Sequence, residues 1–267
     1  MAEDLCTYNV SDGIATLTFN RPDSMNGMTG NMEVAYFQRL LQAEADDDVR
    51  VIVLTGAGRA FCPGADLAHR AGPGDHSLPN AEFARTTPLD IGKPMIAAIN
   101  GACAGVGLAY ALQCDLRFAT KKAKFTTAFS RRGLISEYGM AWLLDSIAGR
   151  QVAMDLLLSA RVVQGDEAAE LGIISAAFET DDLMPHVTGY ATDLAANVSP
   201  ASMATIKYQV NNEPAMSNHD ATNHAEGLMR ESLTGSDVVE GIASFLEKRQ
   251  VPFPPLGEGT TFDWMNS

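Results

Sequence analysis

Gly56-Ala-Gly-Arg-Ala-Phe-Cys-Pro-Gly-Ala-Asp-Leu67 and Asn100-Gly-Ala-Cys-Ala-Gly-Val-Gly-Leu108 are the two stretches that decide the fold. Each follows a short apolar run, Val51-Ile-Val-Leu-Thr55 and Met95-Ile-Ala-Ala-Ile99. Each therefore reads as a strand, a glycine-rich turn and the start of a helix. Turns of this kind leave backbone N–H groups unpaired and directed outward. Two of them side by side form a place where one developing oxyanion could be held.

The flanking sequence extends the same pattern. Gly13–Phe19 alternates and is rich in strand formers, and Asn31 to Ala45 carries Val34, Ala35, Phe37, Leu40 and Leu41 at helical spacing. Gly105 to Gln113 reads as a helix and Leu116–Ala119 as a strand. Strands alternating with helices predict stacked β-β-α units with parallel sheet. After Arg150 the chain reads as mostly helical, with helices predicted over Arg150–Ser159, Gly165–Leu171, Leu183–Asn197, Ser199–Asn211, Asn218–Leu233 and Ser236–Lys248. Ser199 and Ser236 are the expected N-caps of the helices they open. His69 to Pro88 lacks a period and reads as a lid or loop over a pocket. The Pro- and Gly-rich tail, Pro252 to Ser267, is expected to be disordered or to pack on a neighbouring subunit.

Composition excludes several classes. With 33 acidic against 19 basic residues, the net charge of −14 opposes nucleic-acid binding, which needs a basic face. No run approaches the roughly 18 apolar residues of a membrane span. The acidic start, Met-Ala-Glu-Asp-Leu-Cys, is unlike a signal peptide, so a cytoplasmic location is expected. Cys6, Cys62, Cys103 and Cys114 show no metal-ligand spacing and are expected to be free thiols without zinc. Cys62 and Cys103 lie in the two turns. They read as small packing residues, although a His brought near by folding would make either a nucleophile. A dinucleotide site fits poorly: Phe61 and Tyr110 stand where G-x-G-x-x-G needs its third glycine. Tight turning alone would also account for these glycines.

Four segments carry a family resemblance: Asn20-Arg-Pro-Asp-Ser-Met-Asn26, Ala60-Phe-Cys-Pro-Gly-Ala-Asp66, Lys93-Pro-Met-Ile-Ala-Ala-Ile-Asn-Gly101 and Gly241-Ile-Ala-Ser-Phe-Leu-Glu-Lys-Arg249. In content and order they resemble motifs of the crotonase superfamily, the enoyl-CoA hydratases and isomerases, over about residues 5 to 250. The resemblance implies an α/β, ClpP-like fold of repeated β-β-α units with a C-terminal helical trimerisation region. A β-β-α core over residues 1–198 would hold the acyl-CoA site, followed by a helical region, 199–250, and a tail, 251–267. It also implies an acyl-CoA thioester substrate, no tightly bound cofactor, no metal, and a homotrimer or dimer of trimers. Partners of nucleic-acid or membrane type are not expected.

The same resemblance assigns the site. The oxyanion hole would be the N–H groups of Ala65, after Gly64, and of Val106, within Gly105-Val106-Gly107. Arg21, Met25, Arg59, Gly64, Asp66, Leu67, Ala68, Gly105, Phe245 and Lys248 fall at positions that contact the CoA thioester. Hydratases of the family use two glutamates, and those positions here are Ala109 and Phe129. The isomerase branch instead places one acid at the position of Glu137, in Arg132-Gly-Leu-Ile-Ser-Glu-Tyr-Gly139. A single carboxylate can take a proton at C2 and return it at C4, and burial among Leu134, Ile135, Tyr138 and Trp142 would raise its pKa toward the working range. Read without the family, Glu137 caps the helix that follows. Asp66 is expected to shape its loop, and Arg131 and Arg132 to orient Glu137 or stand on the surface. The expected activity is an enoyl-CoA isomerase, with an enoyl-CoA hydratase or a non-catalytic acyl-CoA-binding subunit as the alternatives.

Overall fold

The structure is a computed structural model and describes residues 4–66 and 83–266. It opens with a hairpin, β1 (Cys6–Ser11) against β2 (Ile14–Phe19), closed by Asp12 and Gly13, both at positive φ. That two-residue turn matches the right-handed twist of the strands it joins. From β2 the sheet grows in parallel through β3 (Val51–Gly56), β5 (Met95–Ile99), β7 (Leu116–Thr120) and β10 (Ala176–Phe178). A second sheet is built from shorter strands, β4 (Ala60–Cys62), β6 (Ala102–Ala104) and β8 (Lys124–Thr126), with β9 (Val163–Gln164) antiparallel at its edge.

The expected β-β-α unit is therefore present in repeats. Strands β3 and β4 precede α2 (Thr87–Asp90), β5 and β6 precede α3 (Val106–Gln113), and β7 and β8 precede α4 (Met140–Ser159). In each unit the longer strand joins one sheet and the shorter strand the other, so the turns that leave β4 and β6 lie side by side.

Alternation along the central strands fills two cores. Ile52 and Leu54 of β3 face the main core with α1 (Gly30–Ala45) and α3, whereas Val51 and Val53 face the other side. There α6 (Thr180–Asn197) covers the sheet with Leu183, Val187, Ala191 and Ala195, a stripe repeating every four residues. A central parallel strand buried on both faces explains why Val51–Leu54 carries no polar residue. Burying the Leu183 and Val187 side chains contributes about 1.5–3 kcal/mol each.

The C-terminal helices are α7 (Pro200–Asn212), α8 (Asn218–Thr234) and α9 (Ser236–Glu247), preceded by the short α5 (Gly165–Glu170) earlier in the chain. Ser199 caps α7, its hydroxyl accepting from the Ser202 N–H. Ser236 does not cap α9: Gly235 holds that position, because a Cβ there would stand 2.1 Å from Thr260 Oγ1. The tail also departs from expectation. It folds back on its own chain, with Trp264 stacked on Tyr208 at 4.4 Å and Phe262 buried against Ala201 and Leu228. The Arg50 guanidinium fastens it to the core by donating to the carbonyls of Phe253 and Pro254. Apolar and hydrogen-bonding partners for the tail thus exist within one chain.

Candidate active site

The Asn20–Asn26 segment is a staple. Asn26 is fully buried; its amide donates to Ala57 O at 2.9 Å and Ala60 O at 2.7 Å, while its Oδ1 accepts from the Arg21 N–H at 2.8 Å. Met25 and Asn26 both take positive φ to make this bend. Asn100 makes the matching staple from the second motif, donating to Gly56 O and Gly58 O. Lys93 is buried and donates to Ala43 O and Asp46 O, which satisfies the carbonyl end of α1. Burial draws its pKa below the usual lysine value.

These contacts hold the turn after β4 in one geometry. Met28 N–H donates to Gly64 O and Met28 O accepts from the Asp66 N–H, each at 2.8 Å. Ala65, between them, is paired with Met28 as a parallel bridge. In such a bridge the middle residue turns its own N–H and C=O away from the partner strand. The Ala65 N–H therefore faces the opposite side, and among the described residues it has no acceptor. Asp66 forms an ion pair with Arg21 at 3.0 Å, and the Arg21 guanidinium also donates to Gly27 O.

The second turn comes up against the first. A Cβ on Gly105 would lie 3.7 Å from Gly64 Cα, and one on Gly64 would lie 3.4 Å from Ala104 O. Those distances are ordinary contacts, and it is the positive φ, +115° at Gly64 and +49° at Gly105, that favours glycine at both positions. Gly107 packs tighter still, since its Cβ would stand 2.1 Å from Cys62 O. Gly105 caps α3 without a side chain, and Val106 opens the helix with an N–H that has no acceptor among the described residues. The helix dipole adds positive potential at that end. Ala65 and Val106 thus each follow one of two abutting glycines, with free donors.

Glu137 is half-buried on a turn closed by Leu134 N–H to Phe129 O and Met140 N–H to Glu137 O. Its carboxylate does not cap α4, which begins after Gly139 without a side-chain cap. It has no hydrogen bond or ion pair among the described residues. Of the expected apolar surround, only Tyr138 packs on the core; Leu134, Ile135 and Trp142 are 43%, 82% and 59% exposed, because this turn lies at the surface of the single chain. Tyr138 connects the turn to α3 by an edge-on contact with Tyr110, ring centres 5.6 Å apart. Tyr110 is four residues past Val106, on the same helix face and about 6 Å along the axis.

Arg131 and Arg132 do not reach Glu137. Arg131 donates to Ser159 O at the end of α4 and Arg132 to Ala128 O. The hydratase positions are filled by buried Ala109 and Phe129. Cys62 and Cys103 are fully buried, and burial pushes the Cys62 thiol up to about 12 and that of Cys103 upward too, so both remain neutral. The described histidines are engaged elsewhere, His186 against Phe178, His219 with Asn223 and His224 with Glu213. Arg59 is exposed beside the first turn, and Phe245 and Lys248 are exposed at the end of α9 with no hydrogen bond to either turn. Leu67 and Ala68, with His69 and most of the expected lid, lie outside the described residues. Among the described residues no group of His, Cys, Asp and Glu could hold a metal, and no helix is long and apolar enough to cross a membrane.

The sequence reading passed over one acid. Glu33 on α1 is 5% exposed, and its Oε1 accepts from Tyr110 OH at 2.5 Å and Tyr138 OH at 2.9 Å. Arg85 stands 4.0 Å from the same oxygen and lies over the Tyr138 ring at 4.4 Å. Burial, reinforced by the Glu33 charge, raises both phenols above their ordinary range, so both stay protonated as donors. The available signal was spacing: Glu33 falls four residues before Phe37 and seven before Leu40, inside the apolar stripe of α1.

Two abutting turns thus present unpaired N–H donors on a crotonase-like arrangement of two sheets. The family model for enoyl-CoA hydratase/isomerase matches residues 9–255, and the chain belongs to that family. Its fold is the crotonase fold. The chain is 34% identical, over 92% of its length and 96% of the relative's, to the 1,2-epoxyphenylacetyl-CoA isomerase of Escherichia coli (strain K12). It is likewise 34% identical, with the same two shares, to a probable enoyl-CoA hydratase of Rhodobacter capsulatus. Among solved structures, a probable enoyl-CoA hydratase/isomerase from Mycobacterium abscessus superposes with a TM-score of 0.87 at 26% identity, covering 94% of this chain and 98% of the other. The protein is an acyl-CoA enzyme of the hydratase/isomerase type.

Proposed function

We propose that this enzyme shifts the double bond of an enoyl-CoA by one-carboxylate proton transfer. The thioester oxygen would lie between the Ala65 and Val106 N–H groups. Glu137 would take a proton from C2, the negative charge would spread onto the thioester oxygen as a dienolate, and the same carboxylic acid would return the proton at C4. No water is consumed and no other group leaves. Donors fixed in place cost no reorganisation as the charge develops, and one such donor is worth about 3–4 kcal/mol of barrier.

The observation that carries this reading is the distribution of acids. Buried Ala109 and Phe129 occupy the two positions where family hydratases have glutamates, whereas Glu137 carries a carboxylate without a partner among the described residues, on a turn packed against the helix that Val106 opens. Hydration would need a second acid/base group, and the other carboxylate near the turn, Glu33, is enclosed by two tyrosine hydroxyls. The relative named as an isomerase supports the same reading.

In this reading Gly64 and Gly105 let the thioester approach the backbone, and Arg59 is the cation that meets CoA phosphate. Arg21 and Asp66, already paired, shape the rim with Met25. Phe245 and Lys248 would reach CoA from a neighbouring subunit of a trimer. The exposure of Val239, Ile242, Phe245 and Leu246 on α9, each above half, supports such an assembly. The test is a paired assay with a 3-enoyl-CoA and the matching 2-enoyl-CoA, with products separated. Conversion of the first to the second without 3-hydroxyacyl-CoA is expected. Rapid 3-hydroxyacyl-CoA formation from the 2-enoyl thioester would overturn the reading in favour of hydration.

A further inference from the structure

We propose that Glu33 is a positioning residue which, through the Tyr138 hydroxyl, holds the turn that presents Glu137; the inference rests on the role given to Glu137 above. Glu33 belongs to α1, far from the turn in sequence, and is nevertheless buried with its carboxylate against it. Enclosing a carboxylate is costly unless its oxygens find donors. Here one oxygen receives two phenol hydroxyls, Tyr110 OH from α3 and Tyr138 OH from the Glu137 turn, with Arg85 beside it. One buried anion therefore ties together the helix that carries the Val106 donor and the residue next to the proposed acid/base group.

The turn needs such a tie. Tyr138 adopts φ +57° and Gly139 φ +68°, two successive left-handed residues, and the first is a bulky side chain that rarely takes this conformation. The preceding Leu134 and Ile135 are exposed and contribute little packing, and the Glu137 carboxylate has no hydrogen bond or ion pair among the described residues. Tyr138 is the side chain of the segment that is anchored on every side: Tyr110 at its edge, Arg85 on its face and Glu33 at its hydroxyl. Without the Glu33 bond, the carboxylate of Glu137 would sample a wider arc about the α3 end. Since a displacement of about 1 Å can cost on the order of a hundredfold in rate, that arc is enough to matter.

The test uses the purified full chain in Tyr138→Phe, Glu33→Gln, Glu137→Gln and the double variant Glu33→Gln/Glu137→Gln. Tyr138→Phe keeps the ring and removes only the hydroxyl; it carries the test if Glu33→Gln does not fold. Turnover of enoyl-CoA is compared per folded enzyme, and amide exchange is followed over residues 134–140. The expected result is a kcat about tenfold or more below wild type in Tyr138→Phe and Glu33→Gln, with KM within about twofold. Adding Glu33→Gln to Glu137→Gln lowers the residual turnover no further, and the amides of the turn exchange faster. A contribution to stability alone would lower the melting temperature without this kcat-against-KM split. Wild-type kcat in both single variants, with Glu137→Gln inactive, overturns the positioning role while leaving the role of Glu137 standing. If Glu137→Gln itself turns over normally, the function assigned to Glu137 fails, and the exchange data alone then decide whether Glu33 holds the turn: unchanged exchange refutes it.

Discussion

Gly107→Ala separates the oxyanion site from ordinary helix chemistry. In the middle of a helix, alanine in place of glycine normally stabilises by up to about 1 kcal/mol. At Gly107 the added Cβ would stand 2.1 Å from Cys62 O, 2.7 Å from Cys62 Cβ and 2.9 Å from Cys62 C. Carbon contacts relax only near roughly 3.5 Å, so the first turn of α3 must withdraw from β4 by about 1 Å. Cys62 cannot yield instead, being fully buried in its strand. Overpacking of this kind costs about 1–3 kcal/mol of stability, or a melting-temperature loss of about 2–6 °C for a chain of this size. The same withdrawal carries the Val106 N–H away from the position it shares with Ala65. Losing that donor lowers kcat by about a hundredfold to a thousandfold. Gly189→Ala is the matched control: Gly189 lies in α6, exposed, with nothing within 4 Å of a Cβ, and its replacement should leave turnover unchanged and raise stability slightly. Both variants are followed by thermal unfolding and by steady-state turnover of an enoyl-CoA. A Gly107→Ala enzyme within threefold of wild-type kcat would refute the placement of the oxyanion at the start of α3.

Other consequences follow from buried groups. Asn26→Ala removes three hydrogen bonds at a fully buried site and leaves two carbonyls and one N–H without partners, so a loss of roughly 2–5 kcal/mol is expected in urea unfolding. A loss under about 0.5 kcal/mol would show that the staple is not needed. Burial pushes the Cys6, Cys62 and Cys114 thiols from 9.0 up to about 12. Because the folded values are raised, this contribution to stability is complete below about pH 9 and is lost as pH climbs toward about 12, where the unfolded thiols have already ionised. The melting temperature should therefore fall as pH rises from about 9 toward about 12, and iodoacetamide should label the cysteines only after urea is added. Rapid labelling of the native protein at about pH 8 would contradict the burial.

Much of the site was legible because its chemistry lies in the backbone. A glycine-rich turn after an apolar strand announces free N–H groups whatever the neighbouring chain does, whereas the choice of Ala65 and Val106 within those turns comes from the family resemblance. The repeated β-β-α unit followed from strands and helices with clear periods. The strands of the second sheet were harder to see, since three residues such as Ala60–Cys62 are too few to display one. The order of the tail is not legible in its Pro- and Gly-rich composition, because only the folded chain brings Arg50 to Phe253 and Trp264 to Tyr208. The α1 stripe was placed slightly off, with Leu41 counted inward although it is 41% exposed. Glu33 was missed for the same reason: an acid on an amphipathic helix is normally solvated, and its partners, Tyr110 and Tyr138, lie 77 and 105 residues away. Lys93 likewise carries a motif position whose purpose, closing the end of α1, is visible only in three dimensions.

The central claim is that Glu137 moves the proton, and the most direct measurement is the kcat of Glu137→Gln for isomerisation of a 3-enoyl-CoA, beside the affinity of the variant for a CoA thioester. General acid–base groups contribute about a hundredfold to ten-thousandfold, so kcat should fall by at least about a hundredfold while binding stays within about threefold of wild type. A Glu137→Gln enzyme that isomerises at the wild-type rate would contradict the account and place the proton transfer on another group.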